Sequence, residues 1–165
     1  MSDSGQLPTV GELISNWLGV QLPTIPLPQT MRNLDKAVGR LVLACGENVE
    51  TRIKGNTAAA KARGKINVDG MYRTEDEKRK LENRAATSKA AMEDIQASAP
   101  TTDAQKEIED DWLNVFARIA EDKSSEELQI LFGRILSGEV KRPGSFSLRT
   151  LQIMATISKV DAEQL

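Results

Sequence analysis

The sequence predicts an all-α fold: a helical bundle with a C-terminal four-helix unit, preceded by a long N-terminal and central helical arm able to extend away from it. Two observations carry this reading. Hydrophobic residues make up 39% of the 165 residues but aromatics only 4%, so the core must be built from Leu, Ile, Val, Met and Ala. Apolar residues also recur at three- and four-residue intervals along most of the chain, the period of a helix with one buried face. A length of 165 residues suits one domain, or one domain with a helical extension.

The elements follow in order. Thr9 and Glu12 have capping-box spacing, and Val10, Leu13, Ile14, Trp17 and Leu18 fall on one helical face up to Gly19. A short amphipathic helix is expected there, packed on the protein's own core. Residues 22–28, LPTIPLP, then force an extended strap, because proline lacks an N–H and restricts its predecessor. Residues 1–28 thus read as amphipathic helix plus proline strap. From Gln29 a helix should run with Met31, Leu34, Val38, Leu41, Cys45, Val49 and Ile53 as a seam for a partner helix. Gly55, Gly64 and Gly70 weaken the pattern beyond it. Thr74 with Glu77 opens a further helix whose apolar content is sparse: Leu81, Ala85, Met92 and Ile95. Such a helix buries little alone, so residues 29–97 read as a long arm or hairpin that orders against a partner.

Residues 101–165 read as a compact unit of four helices. Thr102 with Gln105 opens the first, with Ile108, Trp112, Val115, Phe116 and Ile119 inward; Ser124 with Glu127 opens the second, with Leu128, Leu131, Phe132, Ile135 and Leu136 inward. Ser147 caps a third carrying Leu148, Leu151, Met154 and Ile157. Ser158 with Asp161 starts a fourth that stops at Leu165 after barely two turns, which predicts a helix cut short.

Charge and residue inventory bound the function. The net charge is −2, against the basic excess usual for nucleic-acid binders. Residues 51–65 nevertheless carry Arg52, Lys54, Lys61, Arg63 and Lys65 and no acid, a candidate anion-binding window for nucleic acid or anionic lipid. Cys45 is alone, so no internal disulfide forms; with no signal-peptide pattern and no apolar run of membrane-spanning length, a cytoplasmic protein is expected. There is no histidine, which excludes Ser-His-Asp and Cys-His systems and imidazole metal sites. No Ser-x-x-Lys, GxxxxGK or GxGxxG occurs. The acidic clusters at 107–111 and 121–127 suit solvated helix faces and helix N-termini. No catalytic residue, metal or cofactor is expected.

The stretch SGEVKRPGSFSLRT, residues 137–150, stands apart, with Glu139, Lys141, Arg142 and Arg149 expected around one exposed Phe146. Pro143 stops one helix, Gly144 supplies a permissive backbone, and a serine caps the next helix. Arg149 in a first turn and Glu139 near a helix end each oppose the local dipole, so the two should pair across the turn, with Gln129 joining the network. Gln129, Glu139, Arg142, Pro143, Gly144, Phe146 and Arg149 are therefore the candidate site, read as a locked corner or as a surface for a ligand or protein partner. Trp112, Phe116 and SSEELQILFGRILSGEVKRPGSFSLRTLQIM resemble a bacterial domain-of-unknown-function family, numbered 2806, most strongly over residues 112–157. The helical pair is more distantly similar to the abortive-infection alpha proteins of phage defence. The resemblance transfers no catalytic residue. Taken with the excluded catalytic sets and the apolar-poor arm, it leads to the expectation of a non-enzymatic helical interaction or oligomerisation protein of bacterial or phage origin, linked to phage defence and self-associating through residues 29–96. The alternative is a regulator that associates with membrane or nucleic acid through residues 51–65.

Overall fold

The computed structural model describes residues 16, 18–21, 26–43 and 75–164, and these contain six helices and no strand. They are α1 (Pro28–Leu43), α2 (Glu75–Ala97), α3 (Asp110–Ala120), α4 (Glu126–Lys141), α5 (Leu148–Ala155) and α6 (Lys159–Ala162). The all-α expectation holds. Most of the helix expected over residues 10–18, residues 22–25 of the strap, the distal seam at Cys45, Val49 and Ile53, the box residue Thr74 and the basic window 51–65 lie outside the described residues.

Helices α1 to α5 share one hydrophobic core. Leu34, Val38 and Leu41 of α1, Met92 and Ile95 of α2, Leu113 and Phe116 of α3, Phe132 and Leu136 of α4, and Leu151 of α5 are all buried in it. Fully burying a side chain of this size contributes about 1.5–3 kcal/mol. Trp112 stacks on Phe116, with ring centroids 5.0 Å apart and planes 11° from parallel, and Phe116 meets Phe132 at 5.8 Å.

Two expectations are corrected here. The described part of the arm does not project. Nine residues of α2 are buried, its most extensive interface is with α4, and it also packs on α1. The described part of the seam on α1 is likewise filled by the chain's own helices. What allows α2 to pack so closely is small side chains rather than large apolar ones. Ala85, Thr87, Ser88 and Ala91 are all buried, and a Cβ added at Gly133 of α4 would lie 2.5 Å from the Ala90 Cβ and 2.9 Å from backbone atoms of Ala90 and Ala91. Only glycine permits this approach.

The second correction concerns Thr102 and Gln105, which open no helix; residues 101–109 are non-helical and α3 starts at Asp110, with Glu109 as an N-cap that makes no side-chain capping bond. The reason is competition for the backbone. Asn33 of α1, fully buried, donates to the Lys106 and Val140 carbonyls at 2.9 and 3.3 Å and accepts from the Ile108 N–H at 3.2 Å. Asp103 turns towards α1 and accepts from the N–H groups of Gln29 and Thr30 at 3.1 and 2.8 Å. A side chain more than seventy residues downstream thus caps the helix that Pro28 opens. Burial pushes the Asp103 carboxyl up, but the N–H groups of Thr30 and Gln29 outweigh it and hold the pKa below the ordinary value.

The remaining caps follow the sequence closely. Ser125, rather than Ser124, caps α4 by accepting from the Leu128 N–H; Ser147 caps α5; and Ser158 with Asp161 forms a complete capping box on α6. Lys123 reaches over the Phe132 ring at 5.6 Å and donates to the Ala155 carbonyl at 2.6 Å, placing a cation at the C-terminus of α5.

Candidate functional site

The Pro-Gly corner joins the end of α4 to the start of α5. Glu139 is almost wholly enclosed, at 2% exposure, and its carboxylate faces the turn's backbone. One oxygen accepts from the Gly144 N–H at 2.5 Å and the other from the Phe146 N–H at 3.0 Å. Gly144 makes this possible with φ of +90°, a conformation that side-chain-bearing residues rarely adopt. Ser145 closes the turn from the other side, donating from both its N–H and its hydroxyl to the Arg142 carbonyl at 3.1 and 2.6 Å. The Trp112 indole N–H donates to the Phe146 carbonyl at 2.7 Å, clipping the corner to α3. Burial pushes the Glu139 pKa up, against the lowering effect of the N–H groups of Gly144, Phe146 and Ser145, and the nearby Glu109 adds to the rise.

Three of the expectations for this stretch change. Glu139 does not pair with Arg149: no ion pair joins them among the described residues, and Arg149 is exposed at the start of α5. The misplaced anion is satisfied by backbone donors, a solution that charge complementarity between side chains does not reveal. Phe146 is half-buried rather than exposed, packing on the core with its ring over Gly138. Gln129 belongs to the opposite end of α4, where its amide donates to the Lys123 carbonyl at 3.0 Å and to Asn83 at 3.4 Å. Asn83 in turn donates to the Glu121 carbonyl and the Ser124 hydroxyl, fixing the link between α3 and α4. Arg142, Pro143 and Gly144 do lie together. Arg142 and Pro143 also line a cleft of about 460 Å³ that continues along Pro100, Asp103 and Lys106. Asp103 and Lys106 were not singled out in the sequence; the Asp in TTDAQK was the available signal, hidden by the neighbouring Thr–Gln spacing.

Four members of the acidic clusters, Glu107, Asp110, Glu121 and Glu127, form ion pairs. Lys36 meets Glu107 at 2.7 Å and Asp110 at 3.1 Å, Lys80 meets Glu121 at 3.5 Å, and Lys159 meets Glu127 at 3.2 Å. No group of three or more Cys, Asp or Glu side chains able to hold a metal ion occurs among the described residues. No described helix is long and apolar enough to cross a membrane.

Fold and corner together define a small all-α bundle whose most distinctive motif is a helix–turn–helix joint locked by a buried carboxylate. The model of the family described as Protein of unknown function (DUF2806) matches residues 72–165, and the chain belongs to that family. The match extends well beyond the 112–157 stretch that carries the resemblance, taking in all of α2. No curated protein and no solved structure matches the chain, and the likeness to abortive-infection alpha proteins is not shown.

Proposed function

We propose that this protein is a non-enzymatic interaction module that binds a partner protein, or a second copy of itself, through the outer side of its C-terminal helices. The observation that carries this reading is the exposure of large apolar side chains there: Ile153 at 61%, Val160 at 62%, Leu148 at 42% and Ile130 at 41%. The Lys159–Glu127 ion pair draws α6 to the first turn of α4, and Ile130 lies three residues from Glu127, on the same helical face. Apolar side chains held on neighbouring short helices resemble the anchors of protein interfaces more than they resemble a folding core. A link to phage defence belongs to the same reading as its biological setting. The alternative, association with nucleic acid or an anionic membrane through residues 51–65, draws on no described residue.

Sedimentation velocity over a range of concentrations tests the proposal, together with capture from a bacterial lysate by the wild-type chain and by Ile153→Ser with Val160→Ser. Self-association, or a captured protein, that the double variant loses while keeping its circular dichroism supports the reading. A wild-type chain that stays monomeric and retains nothing the variant fails to retain defeats it.

A further inference from the structure

The cleft beside the Pro-Gly corner has two walls, and each is fixed by side-chain hydrogen bonds to the backbone. One wall is the 99–106 segment, pinned to α1 by Asp103 and by the Asn33 bond to the Lys106 carbonyl. The other is the end of α4, Lys141 to Pro143, whose backbone is fixed by the two Ser145 bonds to the Arg142 carbonyl and by the buried Glu139 carboxylate beneath the turn. Three bases, Lys106, Lys141 and Arg142, line the cleft against one acid, Asp103, in a chain whose net charge is −2. The Asp103 oxygens already accept from Gln29, Thr30 and Ala104, and the N-terminus of α1 stands behind them, offsetting the charge. Lys141 is shared with Ser98 at 3.0 Å and Asp94 at 3.5 Å. The Lys106 and Arg142 side chains are exposed and have no partner among the described residues.

We infer that this cleft binds a small phosphate-bearing molecule, with Arg142 and Lys106 holding the phosphate and Lys141 adding to the positive field. The volume, about 460 Å³, lies within the range of small-ligand sites. A guanidinium on a fixed backbone offers a planar fork that matches two phosphate oxygens, and a lysine supplies a mobile point charge. Pro100 and Pro143 give the cleft an apolar wall against which the rest of the molecule can lie. The corner then has a purpose beyond connection: Glu139 and Gly144 set the direction in which Arg142 leaves the helix. This inference is independent of the exposed C-terminal side chains.

Titration of the full chain with inorganic phosphate, adenosine 5′-monophosphate and adenosine, followed by amide chemical shifts at low ionic strength, tests it. Shifts confined to residues 99–106 and 141–146 are expected with both phosphates, at millimolar affinity or better, and none with adenosine. Arg142→Gln with Lys106→Gln should weaken binding about tenfold or more, the effect of losing charge-assisted contacts, while Arg134→Gln on the exposed side of α4 leaves it unchanged. Tighter binding of the nucleotide than of free phosphate assigns a phosphate monoester, and equal binding narrows the ligand to phosphate itself. Both results support the site. No saturable shift up to roughly 10 mM, equal binding of adenosine, or equal weakening by Arg134→Gln would overturn it. Because both mutated side chains are exposed and unpartnered, the fold is expected to survive, and the shift pattern of the free variant checks that directly.

Discussion

Helix α2 and the helices α5 and α6 invert the usual relation between hydrophobicity and burial. In α2, charged and small polar residues predominate, EDEKRKLENRAATSKAAMEDIQA, yet nine of its side chains are buried, among them Asn83, Arg84, Thr87 and Ser88. In α5, LRTLQIMA is largely apolar, yet only Leu151 is buried, and α6 buries none. The difference lies in the partner surface. Opposite α2, Gly133 allows the helix backbones to approach until alanine and serine fill the space that leucine would otherwise occupy. Among the described residues no second layer covers Leu148 and Ile153 of α5, and both stay exposed. Burial is decided by how closely helices can approach, and small residues set that distance as surely as large ones fill it.

The contrast breaks most severely at Gly133. Gly133→Val should cost about 3 kcal/mol in urea unfolding, because its branches meet α2 backbone that cannot step aside, and the gain in helix propensity of under ~1 kcal/mol does not compensate. At the corner between the two regions, Glu139→Ala strands the Gly144 and Phe146 N–H groups and should cost about 2 kcal/mol. Its pH dependence sharpens the assignment. Since the folded pKa of Glu139 is raised by burial, the folded state holds the proton to higher pH than the unfolded chain does. The contribution is therefore fully present below the ordinary carboxyl pKa of 4.5 and is lost as pH rises through the folded value. Glu139→Gln should flatten that part of the stability–pH curve; an unchanged curve would mean the carboxyl titrates as in the unfolded chain. Gly144→Ala meets no neighbouring atom but must adopt φ of +90°, and chemical denaturation should register a loss of about 1–2 kcal/mol. The smallest effect belongs to the exposed end: Ile153→Ser with Val160→Ser should change stability by no more than about 0.5 kcal/mol for each residue.

The apolar periodicity made α3 and α4 legible in the sequence, and Ser147 and Ser158 fixed the starts of α5 and α6, because caps are local and their geometry is written in a few consecutive residues; of the apolar residues expected on α5, only Leu151 is buried, and Ile157 lies beyond the helix. What escaped was long-range. The Asp103 cap on α1 spans more than seventy residues, and with Asn33 it suppresses the helix that Thr102 and Gln105 advertise. Closeness at Gly133 depends on which helix lies opposite, which a polar-looking α2 does not declare. At the corner, Pro143, Gly144 and the serine cap were readable, but the partner of Glu139 was not: charge pairing pointed to Arg149, whereas the structure uses backbone N–H groups that every sequence possesses. The family match from residue 72 onwards agrees with the structure in treating α2 as part of the unit, while α1, outside the match, completes the core with Leu34, Val38 and Leu41.

Native-state amide hydrogen exchange compares the two regions in one experiment. If α2 is a core element despite its polarity, the amides of Leu81 to Ile95 should exchange as slowly as those of Phe132 to Val140 in α4, close to the rate set by global unfolding, while those of α5 and α6 exchange markedly faster. Rapid exchange along α2, at or above the rate of α6, would contradict the account and return α2 to the projecting arm that its sequence suggests.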